Sequence, residues 1–117
     1  MHARTRLGTI GEGLAADLYR KLGFAIVDRN WRCTAGEVDL VLRRGDLVVF
    51  CEVKTRTSDR FGVPSEAVGF HKQARLRRLA AIWLRERVSG RAQVRFDVVS
   101  VIVRDTGPEL THLPDAF

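Results

Sequence analysis

The sequence predicts a single α/β domain in which helices flank one sheet, in the order αβββαβ. Two observations carry that expectation. Helix-period stretches alternate with short runs of β-branched and apolar residues. At the centre, two strongly apolar runs, Gly36-Glu37-Val38-Asp39-Leu40-Val41-Leu42 and Leu47-Val48-Val49-Phe50-Cys51-Glu52-Val53-Lys54, bracket Arg43-Arg44-Gly45-Asp46. That insert is rich in turn formers and reads as a hairpin loop. A length of 117 residues fits one domain over 1–117, and 45% hydrophobic residues are enough for a genuine core.

The first helix is expected over about Ile10 to Leu22. Leu7, Leu14, Leu18 and Leu22 mark its apolar stripe, with Ala15 beside it, and Gly23 is a good stop. Thr9-Ile10-Gly11-Glu12 fits a capping box with Thr9 at the N-cap. Glu12 has a second reading, as a carboxylate aimed at a metal; the residues alone favour the cap. Gly11 and Gly13 would let the helix start approach a sheet or a phosphate closely. Phe24 to Cys33 reads as the first strand. Trp31, between Arg29 and Arg32, reads as a cover for the core edge rather than a base-stacking platform.

On the central hairpin, residues two apart share a face. Glu37, Asp39 and Val41 then lie on one face of the first strand, and Val38, Leu40 and Leu42 on the other. Val48, Phe50, Glu52 and Lys54 share a face of the second strand, opposite Leu47, Val49, Cys51 and Val53. Both faces are largely apolar, so the hairpin is expected to be covered on both sides. Charged side chains there are costly unless paired or bound to a metal. Two carboxylates can hold Mg²⁺ while leaving room for waters and a phosphate. Lys54 could orient a bound water or stabilise a transition state. An ion pair between Lys54 and Asp39 or Glu52 explains the same residues without any ligand.

Thr55 to Pro64 reads as a polar loop, either a phosphate-backbone contact through residues such as Arg56 or a plain connection. A long helix is expected from Ser65 or Glu66 to Val88, with Val68, Lys72, Leu76, Leu79 and Trp83 on its inward stripe. Lys72 there either snorkels out or reaches a buried acid or phosphate. The other side carries Arg75, Arg77, Arg78, Arg85 and Arg87, a candidate for nucleic-acid backbone contacts or simply a solvated face. Val94 to Val103 is a strand ended by Gly107-Pro108. The tail from Glu109 to Phe117 is either a short edge segment or loose.

The formal net charge of +6 favours polyanionic partners. No stretch nears the ~18 apolar residues of a transmembrane helix, and no apolar h-region comes after the N-terminus. These points predict a cytoplasmic chain without a membrane partner. Cys33 and Cys51 read as reduced residues, with a disulfide as the weaker alternative. His2, His71 and His112 are too scattered for a zinc site.

The element order, with acids in the first helix, on the second strand and on the third strand beside a lysine, resembles the PD-(D/E)xK nuclease superfamily. It is similar in particular to archaeal Holliday junction resolvases and tRNA-endonuclease-like relatives. In finer detail the chain resembles the bacterial YraN family of uncharacterised proteins. The matching residues are Gly11-Glu12, Arg29-Asn30-Trp31-Arg32, Gly36-Glu37-Val38-Asp39-Leu40-Val41 and Glu52-Val53-Lys54-Thr55-Arg56. Ala67-Val68 with Lys72 and Arg75-Leu76, and the tail Asp115-Ala116-Phe117, match as well.

The resemblance implies a restriction-endonuclease-like fold with a central mixed sheet. It implies Asp39 and Glu52 as metal ligands, the Val53 carbonyl as a backbone ligand, and Lys54 as the catalytic lysine. Glu12 matches the first-helix acid of the resolvase branch, which moves its reading from cap toward site. Lys72 matches a helix residue near the active site, and Glu37 has no settled place in the set. The implied activity is Mg²⁺- or Mn²⁺-dependent hydrolysis of DNA phosphodiester bonds, in branched or flapped DNA. Arg56, Lys72, Arg75 and Arg78 are then the backbone contacts, and resolvase relatives imply a symmetric homodimer. The competing reading is a non-catalytic nucleic-acid-binding or protein-interaction module with a relic site, since folds outlive chemistries.

Overall fold

A computed structural model describes residues 5–57 and 69–117. Helix α1 (Arg6–Lys21) leads into strands β1 (Ala25–Cys33), β2 (Gly36–Arg44) and β3 (Leu47–Arg56). Helix α2 (Phe70–Arg87) precedes β4 (Gln93–Arg104) and β5 (Gly107–Leu113). The five strands form one sheet in the order β1-β2-β3-β4-β5. β3 and β4 run parallel, from Leu47 opposite Gln93 to Arg56 opposite Ile102. The other neighbours are antiparallel. The result is a mixed sheet with one helix on each face, as expected, plus a fifth strand. Gly107-Pro108 therefore opens β5 rather than closing β4, with Gly107 at φ 122°.

α1 begins one turn earlier than the sequence reading placed it. Thr5, not Thr9, is the N-cap, and its side chain accepts from the Gly8 N–H at 2.9 Å. Thr9 lies inside the helix and donates its hydroxyl to the Thr5 carbonyl at 3.0 Å. The capping-box reading of Glu12 is therefore wrong, because two good cap residues stand four apart and the first one wins. The buried side of α1 is Gly11, Glu12, Ala15, Ala16 and Tyr19. Leu14 and Leu18 pack at its margin, and Leu22 is exposed. Small residues, not leucines, let the helix lie close to the sheet. The C-terminus is a Schellman motif: Phe24 N–H bonds Tyr19 O and Gly23 N–H bonds Arg20 O, with Gly23 at φ 87°.

The hairpin loop is tighter than expected. Arg43 and Arg44 still pair with Val48 and Leu47, leaving Gly45-Asp46 as the turn, with Gly45 at φ 62°. Each sheet face carries its own core. Under α1 lie Leu40, Leu42, Val49, Cys51, Val99 and Val101. Under α2 lie Trp31, Val38, Val41, Val48, Phe50, Leu76, Leu79 and Trp83. Trp31 is thus a core residue. α2 has Gly69 as its N-cap in an extended conformation (φ −79°, ψ 174°) and begins at Phe70. Ser65, Glu66, Ala67 and Val68, like the loop residues from Ser58 to Pro64, lie outside the described residues. Leu76, Leu79, Ala80 and Trp83 form the buried stripe of α2.

Val38 corrects the face assignment. It packs with Val41 beneath α2 and not with Leu40 and Leu42. Strict alternation fails between those residues, where the facing strand carries Asn30 at φ 50° and the β2–β3 pairing has not yet begun. Among the described residues no helix is long and apolar enough to cross a membrane. Both cysteines are free.

Candidate functional site

The end of the β2–β3 ladder at Leu40 builds the site. β2 pairs with β3 only from Leu40 opposite Cys51 onward. Toward the start of β2, where the ladder would set Val38 against Val53, the strands part. The Val53 N–H that a ladder carbonyl would have taken is instead bound by Asp39 Oδ2 at 2.8 Å. A backbone donor thus fixes a buried carboxylate at the mouth of a split in the sheet. Burial, then the charge of Glu52, and then those of Glu12 and Glu37, push the Asp39 carboxyl up to about 7, against the pull of the Val53 N–H.

Glu52 lies on the α2 face of β3 with only 8% of its surface exposed. Two ammonium groups compensate it. Lys72 Nζ, from the first turn of α2, lies 2.5 Å from Glu52 Oε1, and Lys54 Nζ lies 3.5 Å from the same oxygen. Burial and the neighbouring Lys72 hold Lys54 below the ordinary lysine value, although Glu52 pulls the other way. Burial also opposes charge on Lys72, but the hydrogen bond and charge of Glu52 win and hold it above that value. Of the two sequence readings for Lys72, the structure takes the buried acid. The Lys54–Glu52 ion pair foreseen for an unliganded hairpin is also present.

Glu12 approaches from the opposite face of the sheet. α1 meets β3 at Gly11, where an added Cβ would sit 1.8 Å from Thr55 Oγ1. The glycine is required there, and the close approach buries Glu12, leaving it 8% exposed. Its charge is felt at Asp39. Gly13 has open space around it, so it has no such role.

A cleft of about 350 Å³ lies on the α2 side, with Asp39, Glu52, Glu37 and Lys72 along it. Arg32, Arg75, Leu76 and Leu79 complete much of its wall. Arg32 faces Glu37 across the β1–β2 ladder, and its Nε donates to Glu37 Oε2 at 2.8 Å. Sequence reasoning did not place Arg32 here; the signal was its direct cross-strand pairing with Glu37. Arg75 is at the cleft, whereas Arg78 is exposed on α2 outside it, and Arg56 ends β3 outside it. Phosphate-backbone contacts from Arg78 and Arg56 would lie beyond the cleft itself.

Carboxylate oxygens are the donors that hard divalent ions take, and Mg²⁺ is commonly held by one or two carboxylates while keeping several waters. Asp39 and Glu52 suit that chemistry, and the upward push on Asp39 is what burial beside other carboxylates produces. Among the described residues, no three His, Cys, Asp or Glu side chains stand close enough to form a ready-made cage. Glu52 is turned instead toward its lysines.

A second buried acid was not foreseen as a site. Asp97 on β4 is fully buried. Arg95 donates to it twice at 2.9 Å, Tyr19 Oη donates at 2.7 Å, and Asp115 N–H donates at 3.0 Å. His112 Nε2 lies 2.9 Å from Asp97 Oδ2. Burial raises its carboxyl, but Arg95, His112, Tyr19 and the Asp115 N–H together hold it below the ordinary value. It ties α1, β4, β5 and the C-terminal residues together.

Residues 11–101 match the model of an uncharacterised protein family, UPF0102. A UPF0102 protein of Frankia casuarinae is 49% identical over the full length of both chains. One from Frankia alni is 52% identical, covering all of this chain and 98% of the relative. One from Streptomyces griseus is 53% identical over 96% of this chain and 95% of its own. The chain therefore belongs to the UPF0102 family, the YraN-type family that its motifs resemble.

Proposed function

We propose that this UPF0102 member is a Mg²⁺- or Mn²⁺-dependent nuclease of restriction-endonuclease-like fold that hydrolyses phosphodiester bonds in DNA, branched or flapped DNA above all. One observation carries the reading: Asp39, Glu52, Lys54 and Lys72 meet where β2 and β3 part, beside an open cleft. In this reading Asp39 and Glu52 hold the divalent ion, with Glu12 and the Val53 carbonyl as further donors. The bound ion supplies an acidified water and offsets charge on the phosphoryl group. Lys54, held below the ordinary lysine value, sits beside Glu52 to orient that water or to stabilise developing charge. Arg75 and Lys72 line the approach, and Arg56 and Arg78 extend the basic surface for the nucleic-acid backbone.

The test is cleavage of labelled junction, flap and single-stranded DNA with Mg²⁺ or Mn²⁺. Asp39→Ala and Lys54→Ala are each expected to lower the rate at least about a hundredfold, the usual scale for a lost transition-state contact. Cleavage that persists unchanged in either variant defeats the assignment. The Lys72–Glu52 and Lys54–Glu52 pairs favour a second reading, a binding module whose acids are already neutralised. It requires salt-sensitive DNA binding that needs no metal and survives Asp39→Ala.

A further inference from the structure

The carboxylate site already contains a cation. Lys72 Nζ is 2.5 Å from Glu52 Oε1, one of the two oxygens that Glu52 offers a metal. Lys72 stands in the first turn of α2, where the helix N-terminus disfavours positive charge, and no acidic residue of that turn compensates it. Its position is therefore explained by Glu52 and not by its own helix. Its side chain is one-third exposed and lines the cleft, so the flexible stem has room to swing. Lys54, at 3.5 Å from the same oxygen, is the looser partner.

We propose that Lys72 is an internal competitor for the divalent ion. Its ammonium neutralises Glu52 while the site is metal-free, and a metal gains Glu52 only by displacing it. The ion pair thereby sets a threshold: ions that interact weakly with carboxylates leave the site closed, and those that interact strongly open it. The inference rests on the reading of the cleft as a divalent-ion site, and it concerns Lys72 as a positioning residue for Glu52.

Calorimetric titration of Mn²⁺ alone tests it, in a buffer well above the Asp39 value of about 7. Removing the competitor, by Lys72→Met, is expected to tighten Mn²⁺ binding about tenfold, as when a binding-competent state rises from about a tenth of the population to nearly all. Lys72→Arg, which keeps the charge, should stay near wild type. Arg75→Met removes a cation from the same cleft without touching the Glu52 pair, and should change the affinity far less. In the chelator-treated protein Lys72→Met should melt below wild type, and Mn²⁺ should close that gap; Lys72→Gln serves if the Met variant folds poorly. Unchanged or weaker Mn²⁺ binding in Lys72→Met, with binding abolished in Glu52→Ala, overturns the proposal and leaves the metal site standing. Equal tightening in Arg75→Met also overturns it, because the effect is then diffuse charge. If neither wild type nor Lys72→Met binds Mn²⁺, the divalent-ion reading fails and the competitor role falls with it.

Discussion

Asp39 and Asp97 are two aspartates buried in the same sheet, and their surroundings are opposites. Asp97 is ringed by donors: a guanidinium, a phenol, an imidazole and a backbone N–H. Asp39 accepts from the Val53 N–H and feels three other carboxylates. Folding satisfies the first acid completely and leaves the second desolvated beside other carboxylates. A fully satisfied buried acid is what stability selects, whereas an acid pushed up in a cleft is a candidate for chemistry. The difference separates a structural tie from a site with residues of the same type.

The largest expected effect is at the tie. Asp97→Ala leaves Arg95 without its carboxylate and the Tyr19 hydroxyl with the more distant His112 Nε2 at 3.2 Å in its place, and should cost about 3–5 kcal/mol in urea unfolding. Mn²⁺ affinity of whatever protein remains folded should be unchanged; a parallel loss would mean that the two acids form one unit.

Gly11→Ala comes next. The new Cβ would collide with Thr55, so α1 must shift at a cost of about 1–3 kcal/mol. The shift is next to Glu12 and two turns from Tyr19, so metal binding should suffer while the Tyr19–Asp97 bond holds. Ultraviolet spectroscopy of the single tyrosine reads the second, and calorimetry reads the first.

The last test is a pH slope. A carboxyl raised in the folded state from 3.8 to about 7 contributes stability that is complete below 3.8 and lost as pH rises through 7. Metal-free protein should therefore soften across that window, and Asp39→Asn should flatten the slope. Asp97 has the opposite sign. Its contribution is complete above the ordinary carboxylate value and is lost only when pH falls through its lowered one. Melting temperatures in chelator across this range distinguish the two acids; a slope that survives Asp39→Asn removes the basis of the comparison.

The site was legible where it depended on local spacing. Asp39, Glu52 and Lys54 lie on adjacent runs, and strand period with a short loop is enough to bring them near one another. Lys72 was legible as an anomaly, a cation on an apolar stripe, and its partner was one of the options. The faces of β2 were not legible at Val38, because period-2 reasoning assumes an unbroken ladder on both sides and the β2–β3 ladder stops at Leu40. The start of α1 was misplaced because Thr5 and Thr9 offer the same cap chemistry. Asp97 and its partners were invisible, since Tyr19, Arg95, His112 and Asp115 come from elements whose contacts arise only on tertiary packing. The fifth strand was one of two readings of the tail, an edge segment or loose chain, and its start was set two residues late because Gly107-Pro108 reads as a stop.

The hydrogen bond from Val53 to Asp39 has a practical consequence. It wires one main-chain amide directly to the carboxylate in the split, so that residue's nitrogen and proton resonances report on the charge there. Protonation, neutralisation by an ion or replacement of the acid would each move a single peak, giving a label-free readout at atomic resolution that requires no turnover and no substrate.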